Sequence, residues 1–390
     1  MNFAVPNSEE PRRSVSGSEP KFMKQKSKIH FDYIFLFAIL ALNVVGTLMI
    51  FSASPTMGLK IGDTYFFIKR HLFFLFLGLF AFYGGLRCDL MKLKKWSGLL
   101  LMITVFLLFA VYIPGVGRKI SGASRWIDLF FISFQPSELM KFVMIVFLAN
   151  ALTQSHEKIR DFFNGLLPLL VLVGFIAGII VLQPDLGTAL VISGTAFILF
   201  FVAGAQLSHL AMLGGAGVLG VAVLSFTSHY RLHRLLAFID PWKDPQGIGF
   251  HIIQSLLAVG SGGIFGLGLG ASRQKFFYLP QQFTDFIFAI LCEELGFIGG
   301  IFVVILYAIL LGRGLRIATR TTDSFNSLLT VGIVSWIIIQ ATLNIMVVLG
   351  MIPTTGIPLP FISFGGTAVV LQLFSVGLVL QISRGEAVAK

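Results

Sequence analysis

Charge is what this sequence has least of. Asp, Glu, Lys and Arg make up only 12% of its 390 residues, against roughly 25% in an ordinary soluble domain. A chain this poor in charge cannot cover a water-facing surface, which excludes a soluble globular protein. Cysteine is almost missing as well. Cys88 and Cys292 are the only two, and the spans assigned below put them at opposite depths. That excludes a disulfide framework, and two thiols do not make the usual four-ligand zinc site. Acidic residues are few, 18 against 29 basic ones, for a net charge of +11. The surplus does not form a nucleic-acid face, because 17 of the 29 cations fall on one side of the proposed membrane and nine on the other. This is the positive-inside bias of a membrane protein, and nucleic acid is excluded as a partner.

What fills the chain is apolar. Hydrophobic residues reach 56% and Phe alone occurs 41 times. A span needs roughly 20 apolar residues. Candidates lie at 31–51, 66–86, 96–114, 136–152, 162–182, 186–204, 207–226, 286–311, 325–349 and 367–383. The expected class is therefore an all-α polytopic integral membrane protein with about ten transmembrane helices and both termini cytoplasmic. Residues 1–30, rich in Pro, Ser, Glu and Lys, read as a disordered basic cytoplasmic tail. Residues 31–383 form one membrane domain, and 384–390 a short cytoplasmic tail.

The longest polar interruption, about 227–285, is expected outside the membrane between the seventh and eighth spans. It carries Asp240, Asp244, Asp285, several Lys and Arg, and six glycines between Gly260 and Gly270. Long loops rich in side-chain chemistry are usually functional. The glycine run lacks the strand and Lys of a phosphate loop and reads as flexible turns at the membrane surface. Asp285 precedes the eighth span. Its carboxylate suits a helix N-cap or a general base. Asp185, after Gln183–Pro184, faces the same choice. Glu138 and Lys141 are three apart and share a helix face. An isolated intramembrane Lys costs about 2.5–3.5 kcal/mol on insertion scales, so this one needs a partner. Arg125–Trp126 combines an anion clamp with an interfacial aromatic. Glu293 lies deeper, where it can communicate with the site.

These segments, in order, resemble the SEDS family of peptidoglycan glycosyltransferases. The matching stretches are GASRWID (122–128), QPSELMK (135–141), QPDLGTA (183–189), DPWKDPQGIGF (240–250), QSLLAVGSGG (254–263), LP…TDFIFA (279–289), EELG (293–296) and LPFISFGG (359–366). Asp240–Pro241–Trp242 and the compact GLGLGASRQK (266–275) resemble the division branch of the family more than the elongation branch. The resemblance implies polymerisation of lipid II, a polyprenyl-pyrophosphate-linked disaccharide-pentapeptide, on the outer leaflet of the bacterial cytoplasmic membrane, at the septum. It implies as partners a class B penicillin-binding protein and other membrane proteins of the division machinery. It puts the essential acid at Asp285, an ion pair at Glu138 and Lys141, and an outer Arg-Trp pair at Arg125 and Trp126. Asp185, Asp240, Gln254, Ser255, Lys275 and Glu293 join them as residues that bind substrate or support the site. Mg or Mn is the one cofactor left open. The sequence departs from the family pattern at Gln281 (usually an acid), Phe283 (usually His) and Phe364 (usually Tyr), and has Ser133 where some division homologues have Arg. Two rivals stand beside the enzyme: a transporter that flips the same lipid and a non-catalytic division scaffold. An elongation-type polymerase is the alternative within the family.

Overall fold

The computed structural model describes residues 31–113, 115–120, 123–129, 132–154, 158–226, 229–275, 279 and 281–385; both terminal tails expected from the sequence lie outside this range, apart from the stub of the second that ends the last helix. The helices are α1 (Tyr33–Ala53), α2 (Pro55–Ile61), α3 (Phe66–Arg87), α4 (Leu90–Ala110), α5 (Pro136–Gln154), α6 (Leu167–Leu182), α7 (Leu186–Val202), α8 (Leu207–Phe226), α9 (His229–Ile239), α10 (Phe250–Ser261), α11 (Ile287–Arg320), α12 (Ser324–Val348) and α13 (Gly366–Gly385). Among the described residues, eight helical segments are long and apolar enough to cross a membrane, and α7, α8 and α10 are shorter apolar helices. Taking α7 and α8 as spans gives the ten expected crossings. The third span is Leu90–Ala110 rather than 96–114, because Asp89 caps it and pulls the basic segment Lys92–Lys95 into its first turns. The eighth runs on to Arg320, well past residue 311.

The bundle has a centre and a rim. The apolar windows of α5 and α12 are 72% and 67% buried within the protein, whereas that of α3 is 22% buried. The inner pair packs on itself and on α7, with α13 and α11 alongside. The rim helices turn Phe and Leu outward, as lipid requires. Among rim contacts the closest joins α3 to α13, where a Cβ on Gly85 would strike the Phe374 carbonyl and one on Gly377 the Phe82 carbonyl. Small residues that let backbones touch are how spans associate without a hydrophobic driving force.

The outer face differs from the expectation in two places. The stretch before α5, expected as loop, is a three-stranded antiparallel sheet: β1 (Gly117–Ile120), β2 (Ala123–Leu129) and β3 (Ile132–Phe134). Arg118 pairs with Trp126 across it, and Asp128 with Ser133. The Gly260–Gly270 run is not a set of free surface turns. It docks against α11, and α10 buries Ile252, Ile253 and Ala258 while packing on α11.

Candidate functional site

Among the described residues, and leaving aside the short 3-10 turn Pro241–Lys243 that the exposed Asp240 opens without capping, aspartates stand at the mouths of six helical segments. Five use their carboxylates on backbone N–H groups of the first turn: Asp32 on Phe35, Asp89 on Met91 and Lys92, Asp161 on Phe163 and Asn164, Asp185 on Thr188, and Asp323 on Asn326. This is ordinary N-capping. Asp285 is the exception. The N-cap of α11 is Phe286, with no side-chain cap, and the Thr284 hydroxyl donates instead to the Gln281 carbonyl. Only the backbone of Asp285 is held. Asn344 Nδ2 donates to its carbonyl at 2.7 Å, Ser363 Oγ to that of Thr284, and the Phe364 N–H to that of Phe283 at 2.9 Å.

The carboxylate lines a cavity of about 430 Å³ on the outer face, with His233, Arg234, Asp244, His251 and Asn344 among its walls. Arg234 reaches across from α9 and donates to the Thr354 carbonyl at 2.7 Å. Burial pushes the Asp285 carboxyl up to about 6; Arg234 and then Arg125 pull it down, and Asp185 adds to the rise. Desolvation therefore outweighs both guanidiniums. Phe283 does not line this cavity. Its ring packs 4.5 Å from Phe67 and 5.8 Å from Phe364. Two of the three departures thus touch each other and form one apolar cluster, which fastens the Asp285 segment to α3 and to the 359–364 loop.

Beneath the cavity lies the buried ion pair. Lys141 Nζ sits 2.7 Å from Glu138 Oε1 and 2.8 Å from Gln340 Oε1, over the Trp336 ring at 5.3 Å. Gln340 in turn donates to the Pro358 carbonyl at 2.8 Å, and Asn344, one turn on, donates to Ile357 and Asp285. A polar edge of α12 thus links the ion pair to the loop beside Asp285. Gln340, Asn344 and Arg234 were not among the residues singled out in the sequence. The first two carried a signal, since Trp336, Gln340 and Asn344 recur at four-residue spacing on one face of an apolar helix.

The remaining expectations sort plainly. Arg125 is occupied as a corner brace rather than free as an anion clamp. It donates to the Gln183 carbonyl at 2.9 Å and to the Pro184 carbonyl, and lies 3.9 Å from Asp185. Trp126 is half-buried beside it in β2. Asp240 is exposed, and Gln254 is half-buried on α10. Ser255 donates to the Val348 carbonyl. Lys275 and Glu293 are buried in a separate cluster off the cavity. Among the described residues no three His, Cys, Asp or Glu converge on one point, and Asp244 already accepts from Gly247 and Ile248. The described residues therefore form no all-protein cage for a divalent metal.

A helical membrane bundle with a carboxylate free of capping duty in an outer cavity defines a polytopic membrane protein with a candidate site on that face, and the comparisons give its family. The family described as "Cell cycle protein", whose model unites FtsW, RodA and SpoVE, matches residues 33–387; the chain belongs to this family, the SEDS proteins. It is 47% identical over 354 residues to stage V sporulation protein E of Bacillus subtilis (strain 168), covering 90% of this chain and 97% of that one. It is 40% identical over 361 residues to the probable peptidoglycan glycosyltransferase FtsW of Geobacter sp. (strain M18), covering 92% and 98%. A solved structure described as "Structural coordination of polymerization and crosslinking by a peptidoglycan synthase complex" superposes with TM-score 0.76 at 30% identity, over 92% of this chain and 99% of that one. Rod shape determining protein RodA of Thermus thermophilus does so with TM-score 0.68 at 28% identity, over 92% and 98%.

Proposed function

We propose that this multi-pass membrane enzyme polymerises lipid II into glycan strands at the outer face of the cytoplasmic membrane, with Asp285 as general base. The observation that carries the reading is the Asp285 carboxylate, free of any capping duty and half-buried in the outer cavity. Asp285 takes the proton of the acceptor sugar's 4-hydroxyl. The oxygen attacks the donor's anomeric carbon, the bond from that carbon to the pyrophosphate oxygen breaks, and configuration inverts. The pyrophosphate leaves carrying its own charge, with the Arg234 guanidinium in the same cavity to offset it. A leaving group this good needs no acid, so one carboxylate suffices where glycosidases use two. No step is routed through a metal.

Septal wall synthesis alongside a class B penicillin-binding protein is the cellular setting that the FtsW-named relatives and the synthase complex support. The lipid-flipping rival would draw on polar groups within the span, such as Lys141 and Glu293, and Glu293 is held by Ser272 and Arg273. Lys141 is enclosed by Glu138, Gln340 and Trp336, which leaves that charge a brace and favours the enzyme. The test is polymerisation of lipid II by purified protein, with and without the cognate penicillin-binding protein, set against Asp285→Asn in the same preparation. Glycan from wild type and almost none from the variant is the expected result. Equal glycan from both would overturn it.

A further inference from the structure

Two turns in, α11 is broken. Gly296 has φ 69° and ψ −168°, a conformation open to glycine and costly to other residues. The glycine loop fills the gap. Leu267 and Gly268 donate their N–H groups to the Glu293 and Glu294 carbonyls, both at 3.0 Å, while Phe297 and Ile298 donate to Gly263 and Ile264 at 2.9 and 3.2 Å. Backbone groups freed by the break are thereby repaired inside the protein, as an apolar layer demands. The break leaves residues 287–295 as a short rod. Asp285 adjoins one end, and Glu293 and Glu294 stand at the other.

Both of these carboxylates grip the loop that leads back to Asp285. Glu293 accepts from Ser272 Oγ, from the Arg273 N–H at 2.9 Å and from the Gln274 N–H at 3.4 Å. Glu294 accepts from Ser52 Oγ at 2.6 Å and pairs with Lys275 at 3.1 Å. Lys275 also donates to the Gly270 carbonyl. The end of α1 and the start of α2 close the frame: Thr56 Oγ1 donates to the Lys275 carbonyl at 3.0 Å, and Gln282 Nε2 donates to the Ala53 carbonyl at 2.7 Å. Glu293, Glu294 and Lys275 do not line the Asp285 cavity.

We propose that Glu293, Glu294 and Lys275 are positioning residues, which fix the angle of this rod and so hold Asp285 at its working place. The proposal rests on the reading of Asp285 as base. Asn344 and Ser363 hold the near end of the rod, and the two glutamates hold the far end. Loosening the far end tilts the near one, and a misplacement of about 1 Å at a reacting group can cost on the order of 10²-fold in rate.

The test uses the full chain in lipid nanodiscs with lipid II as substrate. Glu294→Gln removes the charge that Lys275 faces. Gly266→Ala leaves the cluster's side chains intact but drives a Cβ into the Glu294 carbonyl, at a position whose φ is +81°. Gly260→Ala, where an added Cβ meets nothing, is the control. Both test variants are expected to lower kcat roughly 10- to 100-fold with little change in KM. They are also expected to move the acidic limb of the pH–rate profile to lower pH, as a tilted Asp285 gains water. Where Gly266→Ala does not fold, the double variant Lys275→Met with Glu294→Gln, which removes both members of the buried ion pair, carries the same expectation. Full kcat with an unmoved limb overturns the proposal. So does a loss of rate that merely tracks the folded fraction with an unmoved limb. Wild-type rate in Asp285→Asn would overturn the catalytic reading itself, and the proposal with it.

Discussion

Asp323 and Asp285 stand at the mouths of neighbouring helices, α12 and α11, and the chain treats them oppositely. Asp323 accepts from the Asn326 N–H at 2.8 Å and stays exposed. Asp285 is drawn partly out of water, its carbonyl bound to Asn344 and its carboxylate left facing the cavity. Burying a carboxylate without using it costs stability, so a helix that needed only a cap would have arranged it like the other five. The contrast separates an acid that supports the fold from one the fold supports. It also disposes of the choice the sequence left open at both Asp185 and Asp285: the first is the cap, the second is not.

The largest expected effect breaks the comparison at its functional end. Asp285→Asn keeps shape but cannot take up a proton, so the rate of glycan synthesis should fall roughly 10²- to 10⁴-fold. Asp323→Asn should leave it unchanged. In the wild type, activity should rise as pH climbs through about 6, where Asp285 ionises. A gel-resolved lipid II polymerisation assay across pH 5–8 reads both. A profile already flat at pH 5 would show that a group other than Asp285 limits the rate.

A second comparison sets this lone carboxylate against the paired charge beneath it. Lys141 and Glu138 are both buried, and removing one partner of a buried pair typically costs about 3–5 kcal/mol. Lys141→Met should therefore lose stability on that scale, seen as reduced yield and melting temperature in detergent. The double variant Glu138→Gln with Lys141→Met should recover most of it. If activity returns with the fold, the pair is a brace acting through Gln340. If the fold returns and activity does not, the Lys141 charge itself serves the site.

How much of this was legible in the sequence follows the range of the interactions. The spans were, because hydropathy is a local sum, and Asp285 could be singled out as a candidate, because its motif is contiguous. The outer sheet was not, since β1 and β3 are four and three residues long and take their register from each other. Nor was the docking of the glycine run, which depends on a break in α11 some thirty residues further on, at Gly296. Gln281, Phe283 and Phe364 stood out as three separate departures. Only the fold shows that Phe283 and Phe364 share one cluster with Phe67, and that Gln281 lines the Asp285 cavity.

The smaller effects sharpen the opening comparison, because they have opposite signs. Burial raises the Asp285 carboxyl from 3.8 to about 6, so the folded state holds its proton more tightly than the unfolded one. Stability should then fall as pH rises from about 4 to 6 and stay lowered above that. A shift of this size corresponds to about 2 kcal/mol once the partial exposure of Asp285 is discounted. Asp285→Asn should remove the penalty. It should melt above the wild type at pH 8 and together with it near pH 4. Asp323→Ala should instead lose about 1 kcal/mol, the usual value of a cap, with activity per folded molecule intact. Thermal unfolding in one detergent, at pH 4 and pH 8, measures both. A variant at Asp285 that is inactive yet more stable marks a residue kept for chemistry against the interest of the fold. If Asp285→Asn proves the less stable protein at pH 8, the carboxylate is holding structure, and the distinction between the two helix mouths fails.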